Sequence, residues 1–282
     1  MSIYKDFDIY FYNNYHNGDV FYSKEFVRDI KKQIGLSHHY IHRNNPSILK
    51  DFDISQIKGY IPNTSSLSKK DNNLYINTWV GQNDAKYLKY DCSLKSNYLI
   101  YTDIFKTLKI ELKPIEYYIP EINFDKVTKI SLGDKKYVLV CNNNVHSGQS
   151  DNFNFDPIID NISNTYKDVN FIMTNNSNLK KDNVLYVSDL LKINMGNLLE
   201  ISYLSTQTDI IIGRGSGPFC FSHIRENMLN ENKTFIVFTH KENEGKWVPD
   251  KASNAKQYWS NNFNTDNIIN FIEEKIKEKW KK

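Results

Sequence analysis

The chain has 282 residues, 40% hydrophobic and 24% charged, with a net charge of +3. That length suits two domains of about 130–150 residues each, and the composition is that of a globular protein rather than a disordered or fibrous one. The small positive charge, with no long Lys/Arg run before the last ten residues, argues against nucleic-acid binding. No apolar stretch reaches the roughly 18 residues that span a bilayer.

Asp8 to Tyr12 reads as a strand that is apolar on both faces, hence central and parallel. After the turn Asn13-Asn14-Tyr15-His16-Asn17-Gly18-Asp19, the residues Val20, Phe26, Val27, Ile30 and Ile34 recur at helical spacing up to a stop at Gly35. Ser37 to His42 is a second strand, followed by a polar segment with Pro46, Pro62 and Ser65 to Lys70. Leu74 to Val80 is a third strand, and Asn97 to Leu112 a helix. Pro114 and Pro120 bracket an aromatic connector, Ile115 to Phe124, which marks the domain boundary.

The second half restarts with a buried strand, Lys136 to Cys141, and a polar loop, Asn142 to Asp151. Phe155 to Tyr166 is a helix with Pro157 in its first turn. Val169 to Met173 and Val184 to Val187 are strands, and Leu198 to Thr206 is a helix. Asp209 to Ile212 is the strand before the turn Gly213-Arg214-Gly215-Ser216-Gly217-Pro218, and Thr234 to Phe238 is the last strand expected. The βαβαβ alternation predicts doubly wound parallel sheets in two Rossmann-like domains, 1–125 and 126–265. A C-terminal amphipathic helix over 266–282 carries Ile268, Ile269, Ile272, Ile276 and Trp280 on one face. Its plain reading is a helix docked on the core, and the other is a helix on a membrane surface.

Cys92, Cys141 and Cys220 have no CxxC spacing and read as buried thiols in a reducing compartment. The opening residues do not form a signal-peptide pattern, so the expected location is cytoplasmic, at most peripheral to a membrane.

The glycine turn at Gly213 to Pro218 has the spacing Gly-x-Gly-x-Gly, which is not the dinucleotide fingerprint. Gly215 and Gly217 permit close approach to a ligand, and Ser216 caps a helix or donates to a phosphate oxygen. Arg214 supplies positive charge at the same turn. A tight strand-to-helix turn with no ligand is the alternative. Asp19, just after Gly18, is either a charge that stabilises its helix or a general base. The dipole of that helix is expected to lower its pKa. His16 is a further candidate on the same turn. His146 and Ser147 sit in a donor-rich loop at the carboxyl edge of the second sheet, where open α/β sheets bind ligands. Asp51-Phe52-Asp53 has the Asp-x-Asp form of some metal-nucleotide sites, but falls in a polar segment where such triplets occur by chance. No hydrolase elbow, zinc-protease or Walker motif is present.

Taken in order, these features resemble the GT-B glycosyltransferases, and among them glycosyltransferase family 9, the heptosyltransferase-like group. The resemblance rests on Asn17-Gly18-Asp19-Val20 with its helix, and on Ser216-Gly217-Pro218 after a strand, matching the family's Thr-Gly-Pro. The family's Asp before that motif is Gly215 here, and its His after it is Cys220. The resemblance implies two Rossmann-like domains facing across a cleft, and a sugar moved from a nucleotide-diphosphate donor to a glycan or lipid-linked glycan acceptor. It implies inversion without a metal or other cofactor. In that scheme Asp19 is the base. Backbone N–H groups of Gly215, Ser216 and Gly217 hold the diphosphate, with charge or hydrogen bonds from Arg214, His146 and Ser147. A sugar-nucleotide epimerase and a non-catalytic binding module on the same plan are the competing readings.

Overall fold

The computed structural model describes residues 7–14, 16–35, 37–43, 46–62, 65–78, 94–113, 119–192, 198–215 and 217–280. The chain forms two units, Met1–Glu121 and Ile122–Lys282.

The first unit opens with β1 (Asp8–Asn13), α1 (Asn17–Ile34) and β2 (His38–His42). β1 is central as its composition predicts: the sheet order is β3-β2-β1-β5-β4, with β1 parallel to both neighbours. Ile9, Phe11 and Tyr12 are fully buried. Helix α1 lays Val20, Phe26, Val27 and Ile30 into the core. It stops where Gly35 adopts φ 62° and donates its N–H to the Lys31 carbonyl, a conformation that suits glycine at a helix C-terminus.

Two strands in the polar segment escape a reading of apolar runs. β3 (Ser55–Lys58) is an edge strand and mostly exposed. β4 (Leu67–Lys70) pairs antiparallel with β5 (Asn73–Asn77) across Asp71-Asn72, the other edge. Edge strands bury little and carry no apolar run. Helix α2 spans Leu94–Thr107 rather than reaching Leu112, because Lys109 turns to φ 55° and the Ile110 N–H closes on the Phe105 carbonyl.

The second unit is built on β6 (Lys136–Cys141), α3 (Asp156–Thr165), β7 (Val169–Met173), β8 (Val184–Tyr186), α4 (Val187–Leu191) and α5 (Leu198–Thr206). There follow β9 (Ile210–Arg214), α6 (Gly217–Cys220), α7 (Arg225–Met228), β10 (Thr234–Phe238), β11 (Lys256–Ser260) and α8 (Thr265–Trp280). All six strands are parallel, in the order β11-β10-β9-β6-β7-β8. Numbered within the unit this is 3-2-1-4-5-6, the doubly wound order, and it reverses between β6 and β9. β10 is therefore not the last strand. β11 adds an edge whose residues remain partly exposed, so it too lacks an apolar signature.

One face of the sheet packs Val138, Val140, Ile210 and Ile212 against Ile158, Ile159 and Ile162 of α3 and Ile268, Ile272 and Ile276 of α8. Burying the three α8 isoleucines contributes roughly 5–8 kcal/mol as an upper bound. The apolar stripe of α8 is thus used inside the protein. Its lysines are occupied as well: Lys275 pairs with Glu274 and Glu278, and Lys277 with Glu273. On the opposite face, α6 lies close to β9, and a Cβ on Gly213 would sit 3.0 Å from the Phe219 ring.

Candidate functional site

Parallel doubly wound sheets bind ligands outside the carboxyl ends of their strands, at the point where the strand order reverses. In the second unit that point lies between Cys141 and Arg214, the last residues of β6 and β9. Arg214 is 1% exposed. Its guanidinium donates to the carbonyls of Asn142 at 2.6 Å, Asn143 at 3.1 Å and Phe153 at 2.6 Å. It lies 5.0 Å and 5.1 Å from the ring centroids of Phe153 and Phe155. Burial lowers its pKa to about 10, which leaves it charged at neutral pH. These three bonds tie the chain entering and leaving the 142–152 loop to the end of β9.

Beside Arg214 opens a pocket of about 420 Å³, lined mainly by amide side chains of the 142–156 and 175–178 segments. Its walls are set by internal bonds. The Asn142 amide donates to the Asn175 carbonyl, and its oxygen accepts the Asn175 N–H. Asn152 spans both the N–H and the carbonyl of Val145. Asn154 accepts the N–H of Asp156, the first residue of α3. Ser188 donates to the oxygen of Asn176. Asn154 and Asn176 line the pocket, and each amide carries two N–H donors, a lining suited to hydroxyl and phosphate oxygens.

The sequence-predicted residues fall into place unevenly. Arg214 is at the pocket, but His146 and Ser147 are not among its lining residues. Both are exposed on the outer part of the loop, where the Ser147 hydroxyl donates to Gln149 and Gly148 adopts φ 72°. Ser216 lies outside the described residues. Gly215 has an internal reason to be glycine: a Cβ there would meet the Glu244 carbonyl and Thr239 Cγ2 at 2.9 Å. Gly213 is as tight, its added Cβ 2.7 Å from Cys141 Cβ. Among the described residues, Leu198 at 3.9 Å is what a Cβ on Gly217 would come near. The helix expected after the glycine turn is a single turn, Gly217–Cys220, too short for a full macrodipole. The pocket residues that sequence reading misses, Asn152, Asn154 and Asn175 to Asn178, had one usable signal: two of these stretches follow strands at the carboxyl edge.

In the first unit Asp19 lies in the opening turn of α1, three residues after the N-cap His16. Its side chain is 29% exposed, and Oδ2 lies 3.8 Å from His16 Nδ1. Burial raises its pKa, against the opposing pull of His16 and of the backbone N–H groups of His16 and Asp19. The expected lowering by the helix dipole is therefore outweighed by desolvation. Behind it runs a buried hydroxyl chain: Tyr40 bonds Ser23 at 2.6 Å and Thr78 at 2.8 Å, and Thr78 donates to the Tyr12 carbonyl. Asn14 clamps the backbone of Ile61 through both ends of its amide. The Asp-x-Asp triplet is structural in part: Asp51 forms a fully buried ion pair with Lys24 at 2.6 Å. Among the described residues no cluster of three or more His, Cys, Asp or Glu is placed to hold a metal, and no helix is long and apolar enough to cross a membrane. Cys141 and Cys220 are buried and not joined in a disulfide.

No protein-family model and no curated protein matches the chain. Solved structures do. A glycosyltransferase family 9 protein from Veillonella parvula is similar at TM-score 0.55 and 10% identity, over 100% of this chain and 91% of that one. The Escherichia coli heptosyltransferase WaaC, solved with ADP, is similar at TM-score 0.59 and 7% identity, over 96% and 99%. The E. coli ADP-heptose LPS heptosyltransferase II gives TM-score 0.58 and 6% identity, over 95% and 98%. In fold, then, the chain is an α/β protein of the GT-B type, two Rossmann-like units similar to the solved structures of glycosyltransferase family 9.

Proposed function

We propose that the chain is a glycosyltransferase that moves a sugar from a nucleotide-diphosphate donor to a hydroxyl of a glycan or lipid-linked glycan. The observation that carries this reading is the amide-lined pocket with Arg214 at the reversal point of an all-parallel sheet. A fold likeness running nearly end to end with glycosyltransferases supports it, one of them solved with ADP. An adenosine diphosphate donor is accordingly the first to try.

In this reading the second unit holds the donor. Arg214 and the amide N–H groups offset the charge that develops on the leaving diphosphate, which is the part a metal plays elsewhere. Asp19 takes the proton of the acceptor hydroxyl as its oxygen attacks the anomeric carbon, and the carbon inverts. A carboxylate whose pKa burial has raised is a stronger base than an ordinary surface aspartate. The buried, non-disulfide cysteines Cys141 and Cys220 suit a reducing, cytoplasmic setting.

Asp19→Asn is the test. It should lower transfer by roughly 10²–10⁴-fold while leaving nucleotide affinity nearly unchanged. Undiminished turnover removes Asp19 from its role. A donor-only control separates transfer from epimerisation, which needs no acceptor.

A further inference from the structure

His16 stands at the N-cap of α1, a position that favours Ser, Thr, Asp or Asn because their oxygens accept free helix N–H groups. Its side chain makes no capping hydrogen bond. The ring is 62% exposed, so it is not there for packing, and Nδ1 lies 3.8 Å from Asp19 Oδ2. It bridges the spot between a half-shielded carboxylate and open solvent.

We propose that His16 is a positioning residue for Asp19: its ring, with Nδ1 3.8 Å from Oδ2, holds the carboxylate in place and favours its ionised form. This rests on the reading of Asp19 as the base. The attraction of His16 for the carboxylate opposes the effect of burial on Asp19. In the step served, the acceptor O–H proton passes to Asp19 Oδ2. The acceptor oxygen bonds the anomeric carbon, and the bond from that carbon to the diphosphate oxygen breaks with its electron pair leaving on the nucleotide.

Among the described residues, the other titratable group coupled to Asp19 is Tyr40 from β2. Burial pushes the Tyr40 hydroxyl up, so it stays neutral and puts no charge beside the carboxylate. Lys24, further along α1, is committed to Asp51 in a pair with no exposed side-chain surface. His16 is thus the side chain placed to act on the Asp19 carboxylate.

The test is a carbon-13 NMR titration of the Asp19 carboxyl in the full chain, for the native sequence, His16→Ala and His16→Lys. It needs no donor or acceptor. Loss of the imidazole should raise the Asp19 midpoint by about half a pH unit, the scale of a partly exposed ion pair, and His16→Lys should bring it back. Where turnover is measurable, the acid limb of kcat/KM moves by the same amount; a purely structural role would lower the rate equally at every pH. Coincident midpoints in all three proteins overturn the pairing. A shifted midpoint in a chain whose Asp19→Asn variant still transfers sugar supports the pairing and overturns instead the base role assigned to Asp19.

Discussion

Arg214→Ala removes three donors at once from the carbonyls of Asn142, Asn143 and Phe153. Hydrogen bonds to charged groups contribute about 1.5–3 kcal/mol each, which would suggest a loss of about 4–9 kcal/mol if they were independent. Two effects reduce that figure. The guanidinium is buried with no carboxylate among these partners, so the native protein already bears a desolvation cost that the variant escapes. The adjoining pocket also lets water reach the stranded carbonyls. A net destabilisation of about 3 kcal/mol remains, a large part of the 5–15 kcal/mol typical of a folded protein. Arg214→Lys should recover less than half of it, because one ammonium cannot match the fork that spans three carbonyls. Urea unfolding compared at equal m-value measures the loss, and hydrogen exchange should show residues 142–154 opening first. A destabilisation under about 1 kcal/mol, or a fully restored Arg214→Lys variant, would refute the claim that this side chain builds the pocket.

Gly213→Ala places a Cβ 2.7 Å from Cys141 Cβ and should cost about 1–3 kcal/mol by overpacking, whereas Gly217→Ala should leave the melting temperature nearly unchanged; equal effects would discredit the distinction. His223 is buried, stacked on Phe235, and held neutral by desolvation, its pKa pushed down to about 3 from 6.5. Between those values the unfolded chain binds a proton that the native state refuses, so stability falls as pH drops, by about 2 kcal/mol from pH 6.5 to 5. His223→Phe should flatten that slope, and an unchanged acid limb in urea titrations would count against it.

How much of this was legible beforehand depends on what each residue's neighbours are. The central strands announced themselves because both faces are buried: Asp8 to Tyr12, Lys136 to Cys141 and Val169 to Met173 read as strands and are strands. The edge strands β3, β4 and β11 did not, since a half-exposed strand such as Lys-Gln-Tyr-Trp-Ser carries no apolar run. Arg214 was visible as a charge at a glycine turn. Its partners were not, because backbone carbonyls have no signature in sequence. Gly215 and Gly217 were read as access for a ligand. Gly213 and Gly215 also have a packing reason to be glycine, since Cys141, Thr239 and the Glu244 carbonyl crowd them, distant residues that only the fold brings near. The direction of the Asp19 pKa was misjudged for a related reason: the helix dipole is local and readable, while desolvation depends on tertiary packing.

Calorimetric titration of the full chain with ADP, UDP and GDP tests the central claim most directly. Saturable binding of at least one of them, retained in Asp19→Asn and weakened when Asn154 and Asn176 are changed to Ala, is the expected result. No heat of binding from any of the three would contradict a donor site on the second sheet and favour a module that keeps the fold without the chemistry.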